Sequence, residues 1–161
     1  MRRRFKVSIR EVLLLNWDYA MEKEDWYPPT SHALQDVTSE QALWKPEGLA
    51  ANSIWENVQH LLYYKQRLLA RLDQVPFEEL DNNDETFHIR DTSEEEWGQV
   101  RDALHDVHSA LRVKFEQMPD EELLKSSQAV LSLITHDAYH TGQIVSLRKM
   151  QGSWPEKRSY L

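Results

Sequence analysis

The chain has 161 residues, of which 40% are apolar and 29% charged, and its formal net charge is −8. This is the balance of a globular domain with a core of its own, and it excludes a disordered chain. So acidic a surface repels phosphate backbones, so nucleic acid is not an expected partner. There is no cysteine, which rules out disulfides, thiolate metal ligands and a thiolate nucleophile.

The basic triplet Arg2-Arg3-Arg4 reads as a short solvated terminus. No long apolar segment or small-residue cleavage site follows it, so neither a secretion signal nor a membrane span is expected, and the cytoplasm is the expected compartment. Repeats and linker-like stretches are missing, and one domain over residues 1–161 is the simplest organisation. Only four glycines occur and alternating β-branched runs are lacking, both of which favour helices.

The first helix is predicted from about Ser8 to Glu24. Ser8 and Glu11 have capping-box spacing, Ile9, Val12, Leu13 and Ala20 repeat at helical intervals, and Pro28-Pro29 follows. Thr38 and Gln41 mark a short helix before Pro46 and Gly48 break the chain. The second long helix runs from about Ser53 to Leu72, capped by Ser53 and Glu56, with Ile54, Val58, Leu61, Leu68, Leu69 and Leu72 as its apolar stripe. Residues 77–91 are polar and aperiodic and read as a loop. A third helix starts at Ser93, with Glu96 three residues on, and closes at Met118-Pro119. Its apolar face carries Trp97, Val100, Leu104, Val107, Leu111 and Phe115. The fourth is expected from about Ser126 to Met150, with Gly152 as its stop. Four helices with one apolar face each suit a four-helix bundle.

Seven histidines are present. In His136-Asp-Ala-Tyr-His140 two imidazoles stand four residues apart, on one helix face a turn from each other, where both can reach a single ion. His60, mid-way along the second helix, is the natural third ligand once the bundle brings facing helices together. At about 100° per residue, His60 falls off the apolar stripe, with Asn57 and Tyr64 beside it, and the pair lies at the edge of its own arc. That placement predicts a site at a groove or rim. Asp137 falls inside the apolar arc between Leu133, Ile134 and Ile144 and needs a partner there. It reads first as a structural hydrogen-bonding group and second as a base or a support for the histidines. His105 points outward, His108 borders the core and reads as packing, and His32 and His88 fall in predicted loops. Trp44, Trp55 and Trp154 are packing or pocket-roof aromatics.

The run His136-Asp-Ala-Tyr-His140-Thr-Gly142-Gln143-Ile144, with Arg148 and Gly152-Ser-Trp154-Pro155 after it, resembles the C-terminal signature of the DinB-like superfamily. Glu40-Gln-Ala-Leu-Trp-Lys-Pro46 and Ser53-Ile-Trp-Glu-Asn-Val-Gln-His60-Leu61 resemble its upstream motifs, so the likeness spans nearly the whole chain. The resemblance implies an all-α, DinB/YfiT-like up-down-down-up bundle, usually a homodimer, with one divalent metal on His60, His136 and His140. Asn57, Tyr64, Asp137 and Gln143 are the candidate supporting or pocket residues. Ser132, Thr135, Ala138, Gly142 and Ser146 form a small-residue face compatible with a dimer, a neighbour within the bundle, or plain solvent.

Three histidines leave a coordination position for water or substrate, the mark of a catalytic rather than a structural site. Relatives in the resembled superfamily include metal-dependent enzymes that use low-molecular-weight thiols such as bacillithiol or mycothiol as nucleophiles. The first expectation is therefore a metal-dependent thiol S-transferase acting on a small molecule in detoxification or stress response, with zinc or nickel as the ion. A metal-dependent hydrolase is the second, since His136-Asp137-x-x-His140 superficially resembles the zincin His-Glu-x-x-His. A non-catalytic metal-binding stress protein is the third.

Overall fold

The computed structural model describes residues 7–47 and 50–157; the basic triplet and Gly48 lie outside them. Among the described residues are six α-helices, one 3-10 helix and no strand, so the chain is all-α as expected. The helices are α1 (Ile9–Met21), α2 (Thr30–Ala33), α3 (Ser39–Leu43), α4 (Ile54–Asp73), α5 (Glu94–Gln117) and α6 (Asp120–Met150), with the 3-10 turn over Asn83–Phe87. None of these helices is long and apolar enough to cross a membrane.

The capping boxes explain where three helices begin. Ser8, Thr38 and Ser53 each accept from the backbone N–H three residues on, and Glu11, Gln41 and Glu56 each accept from the cap residue's N–H in return. Each box satisfies donors that a first turn leaves unpaired. At Ser93 only half of the box forms, the hydroxyl accepting from the Glu96 N–H.

Two boundaries and one whole helix differ from expectation. Helix α1 ends at Met21, short of Glu24, and its buried face is Leu13, Trp17, Ala20 and Met21, whereas Ile9 and Val12 are exposed. Helix α2 was not expected; it begins directly after Pro29 and makes His32 helical and half-buried instead of a loop residue. Helix α6 starts at Asp120, six residues before Ser126, with Pro119 as its N-cap. The proline ring holds the chain near helical φ, and Asp120, Glu121 and Glu122 place carboxylates where the helix dipole favours them. That first turn buries only Leu123, too little for an apolar period to reveal it.

Helices α1 and α4 each pack against both α5 and α6. Trp17, Trp55 and Trp97 are fully buried, with Trp55 against Trp97 at 5.1 Å, so Trp55 is a core residue. Each fully buried Leu or Phe in such a core stabilises by about 1.5–3 kcal/mol. Arg10, at the start of α1, donates to the carbonyls of Phe115 and Met118 and to Asp120, where α5 ends and α6 begins. Lys114 near the end of α5 pairs with Asp73 at the end of α4. The Thr30 hydroxyl donates to Ala20 O and meets the Thr141 hydroxyl at 2.8 Å, which ties α2 to α6 beside the histidine pair.

Candidate metal centre

Helix α6 presents His136 and His140 one turn apart, and α4 brings His60 opposite them. One ring nitrogen from each histidine lies within 4.8 Å of the other two. The Nε2 atoms of His60 and His136 are 2.9 Å apart. His60 and His140 are only 5% and 4% exposed, and His136 is half-buried. The rings of His60 and His140 are thus largely covered, yet His60 and His136 line a groove, as the expected groove or rim position requires. His60 does lie off the apolar stripe, but the 3-10 turn covers it: the Phe87 ring stacks on the imidazole at 4.0 Å and Thr86 bonds its edge. That turn sits inside the stretch expected to be a loop.

Hydrogen bonds behind His60 and His140 fix which nitrogen each of these two offers. The Thr86 hydroxyl donates its one proton to Asn83 O at 2.6 Å, so it must accept from His60 Nδ1–H, 2.5 Å away. The Asn57 amide nitrogen donates to Ser53 O at 2.7 Å, which turns its Oδ1 toward His140. His140 Nδ1–H donates to that oxygen at 2.6 Å. Both rings thus keep the proton on Nδ1 and offer a bare Nε2 to the cluster, the arrangement that orients metal-binding imidazoles. The bare His60 Nε2 faces His136 Nε2 at 2.9 Å, a separation that a shared proton or a cation can bridge.

Electrostatics agree. Burial, then the neighbouring His140 and His136, pushes His60 down to about 3. Burial, then His140 and Lys65, brings His136 to about 4. Burial also lowers His140, opposed by a hydrogen bond that the ring donates to the Gln143 side chain. Burial thus disfavours the protonated form of all three, as metal binding requires. The donor set and the tautomers of His60 and His140 fit a divalent cation that accepts imidazole nitrogen.

The sequence profile of the DinB superfamily matches residues 28–144. This chain belongs to the DinB superfamily. The matched segment holds all three histidines together with Asn57, Thr86 and Phe87. No curated protein and no solved structure matched the chain.

In this DinB superfamily member Asp137 turns away from the cluster. It is fully buried, its Oδ2 accepts from Lys65 Nζ at 2.6 Å, and it makes no hydrogen bond to any of the three imidazoles. Lys65 is also fully buried; it lies 3.3 Å from His108 Nδ1 and 4.3 Å from the centre of the Trp17 ring, which stacks on His108. Burial pushes Asp137 up and Lys65 down, each opposed by the other's charge. Asp137 is thus the structural group expected first, and a general-base role has no support here. Sequence reasoning missed Lys65 as the partner. The available signal was a lone lysine three residues before Leu68 on the buried side of α4.

Of the other candidates, Asn57 and Gln143 contact His140 as above. Tyr64 meets His60 and His136 edge-on, at 4.9 and 5.4 Å, and its hydroxyl donates to Asn83. His105 and His88 are exposed, and His108 is buried packing, as expected. Arg148 donates to Ala33 O and Ser153 O and lies over the half-buried Trp154, so this end of the signature run builds the stop of α6 at Gly152, whose φ is +76°. Trp154 lines a separate cleft with His32, and Trp44 packs half-buried against the core. The small face of α6 is exposed except for half-buried Ala138, and a Cβ at Gly142 would meet nothing within 4 Å. It is therefore not a contact surface within the bundle.

One side of the cluster opens into a groove of about 640 Å³ that His60, Tyr64 and His136 line at one end. Leu68, Val75, Phe77, Ala129 and Leu133 supply its apolar walls. Arg67, Arg71 and Glu79 line it as well.

Proposed function

We propose that His60, His136 and His140 bind one divalent cation, zinc or nickel, and that the centre is that of a metal-dependent enzyme, in first place a low-molecular-weight-thiol S-transferase serving detoxification or stress response. The observation that carries the metal reading is the pair of acceptors, Thr86 and Asn57, that hold the Nε2 lone pairs of His60 and His140 toward a common point. Bound there, the cation would supply Lewis acidity, lowering the pKa of a thiol or water beside it.

The remaining work falls to the chain. Phe87 stacked on His60 covers one face of that imidazole, which would strengthen charge interactions on that side of the cluster. The apolar walls suit an electrophilic small molecule. With no cysteine in the sequence, the attacking sulfur has to come from a cosubstrate. Its C–S bond forms as the leaving group departs, and the thiol proton passes to solvent. Hydrolysis with Asp137 as base ranks lower, because Lys65 holds that carboxylate inside the bundle.

The up-down-down-up order belongs to the same reading. Arg10 reaching the start of α6, and Lys114 meeting Asp73, support it. So does a cytoplasmic homodimer, for which the exposed small face of α6 supplies a surface allowing close helix approach.

Two measurements test the proposal. Elemental analysis of purified protein is expected to give about one divalent ion per chain, lost in His60→Ala and His140→Ala; full occupancy in both variants refutes the site. Metal-loaded protein is expected to consume bacillithiol or mycothiol with monochlorobimane, releasing chloride, while folded His140→Ala does not. Metal occupancy without turnover across thiols and electrophiles would leave a non-catalytic metal-binding stress protein.

A further inference from the structure

We propose that the groove binds a small amphipathic carboxylate, with its anionic group on Arg71 and its apolar body laid along α4 toward His60 and His136; this rests on the three histidines being the reactive end of the groove.

The charges in the groove are unevenly compensated. Arg67 Nε donates to both oxygens of Glu79, at 2.8 and 2.7 Å, and the Tyr63 hydroxyl donates to the same carboxylate at 3.2 Å. Arg67 and Glu79 therefore cancel. Asp73, two residues beyond Arg71, is taken by Lys114. Arg71 is exposed, and among the described residues no carboxylate lies within ion-pairing distance of it, although the chain carries a net charge of −8. The groove thus offers one uncompensated guanidinium, a group that binds carboxylates through paired N–H donors.

Position gives the ligand its shape. His60, Tyr64, Arg67 and Arg71 recur at three- and four-residue intervals, so they share one face of α4. Eleven residues separate His60 from Arg71, about 16 Å along the helix, and helical side chains lean back toward the N-terminus. Between the two ends stand Leu68, Phe77 and Leu133, while Arg67 there is already neutralised by Glu79, so the middle offers an apolar wall and no free charge. The ligand that fits has one anionic end, an apolar middle, and a reactive or metal-facing end.

The test is calorimetric titration of octanoate and octanol into metal-loaded and metal-stripped protein, with Arg71→Gln and Arg71→Lys alongside. Octanoate is expected to bind wild type about tenfold more tightly than octanol, the worth of a charge-assisted hydrogen bond. Arg71→Gln is expected to bring the two to parity, and Arg71→Lys to recover part of the preference. Unchanged octanoate affinity in Arg71→Gln, parity in wild type, or octanoate binding abolished by metal stripping alone would each overturn the proposal, the last by placing the carboxylate on the ion. Elemental analysis of the same samples keeps the two ideas apart. Metal-free wild type with Arg71-dependent binding defeats the metal reading only; metal-loaded protein with Arg71-independent binding defeats the groove proposal only.

Discussion

Replacing Thr86 with valine removes the acceptor for His60 Nδ1–H while keeping the side chain's shape. The hydroxyl is buried and 2.5 Å from the ring nitrogen, so no solvent takes its place. In the metal-free variant His60 has an escape. It can move its proton to Nε2 and donate to His136 Nε2, which lies 2.9 Å away. That tautomer has no Nε2 lone pair to offer a cation in the cluster. The cost of the lost hydrogen bond therefore falls mainly on the metal-bound state. Removing such a supporting group typically weakens metal binding 10- to 100-fold, or about 1.4–2.8 kcal/mol, within the range for an unsatisfied buried donor. Competition against a chromophoric chelator with zinc measures the affinity, and a thermal melt of the metal-free protein measures the fold. Weaker zinc binding with a nearly unchanged metal-free melt is expected. Zinc affinity within twofold of wild type would refute the tautomer argument.

Other consequences follow from the same interior. Asp137→Leu leaves the Lys65 ammonium buried and unpaired, so chemical denaturation should show a loss of about 3–5 kcal/mol, whereas the double variant Lys65→Met/Asp137→Leu should recover most of it; equal losses in both would show that the pair does not act as a unit. The folded pKa values of His60, His136 and His108, about 3, 4 and 2, lie below the ordinary 6.5. Between those values and 6.5 the unfolded chain binds protons that the folded chain refuses, so the metal-free protein is expected to keep its full stability above about pH 6.5 and lose it as pH falls. Urea melts at about pH 7.5 and about pH 5 check the sign. Phe87→Ala, which uncovers His60, is expected to leave the metal stoichiometry unchanged while speeding metal release to a chelator, read by stopped flow.

Much of this was legible in the chain. Capping boxes are local, so Ser8, Thr38 and Ser53 announced their helices correctly. The spacing of His136 and His140 needs only the pitch of one helix, and the burial of Asp137 needs only its wheel position. The start of α6 was not legible, because a proline followed by three acids gives a cap but no apolar period. Nor could the sequence tell what faces what. That Lys65 answers Asp137, that Phe87 and Thr86 close over His60 from a segment without periodicity, and that Asn57 faces His140 are contacts between groups 26 to 83 residues apart. Only packing of α4 against α6 and the 3-10 turn sets such contacts. The sequence by itself determined the four long helices and the histidines that could hold an ion. The tertiary structure decided their tautomers, their cover and the groove they open into, because those depend on distances between elements and not on spacing within one.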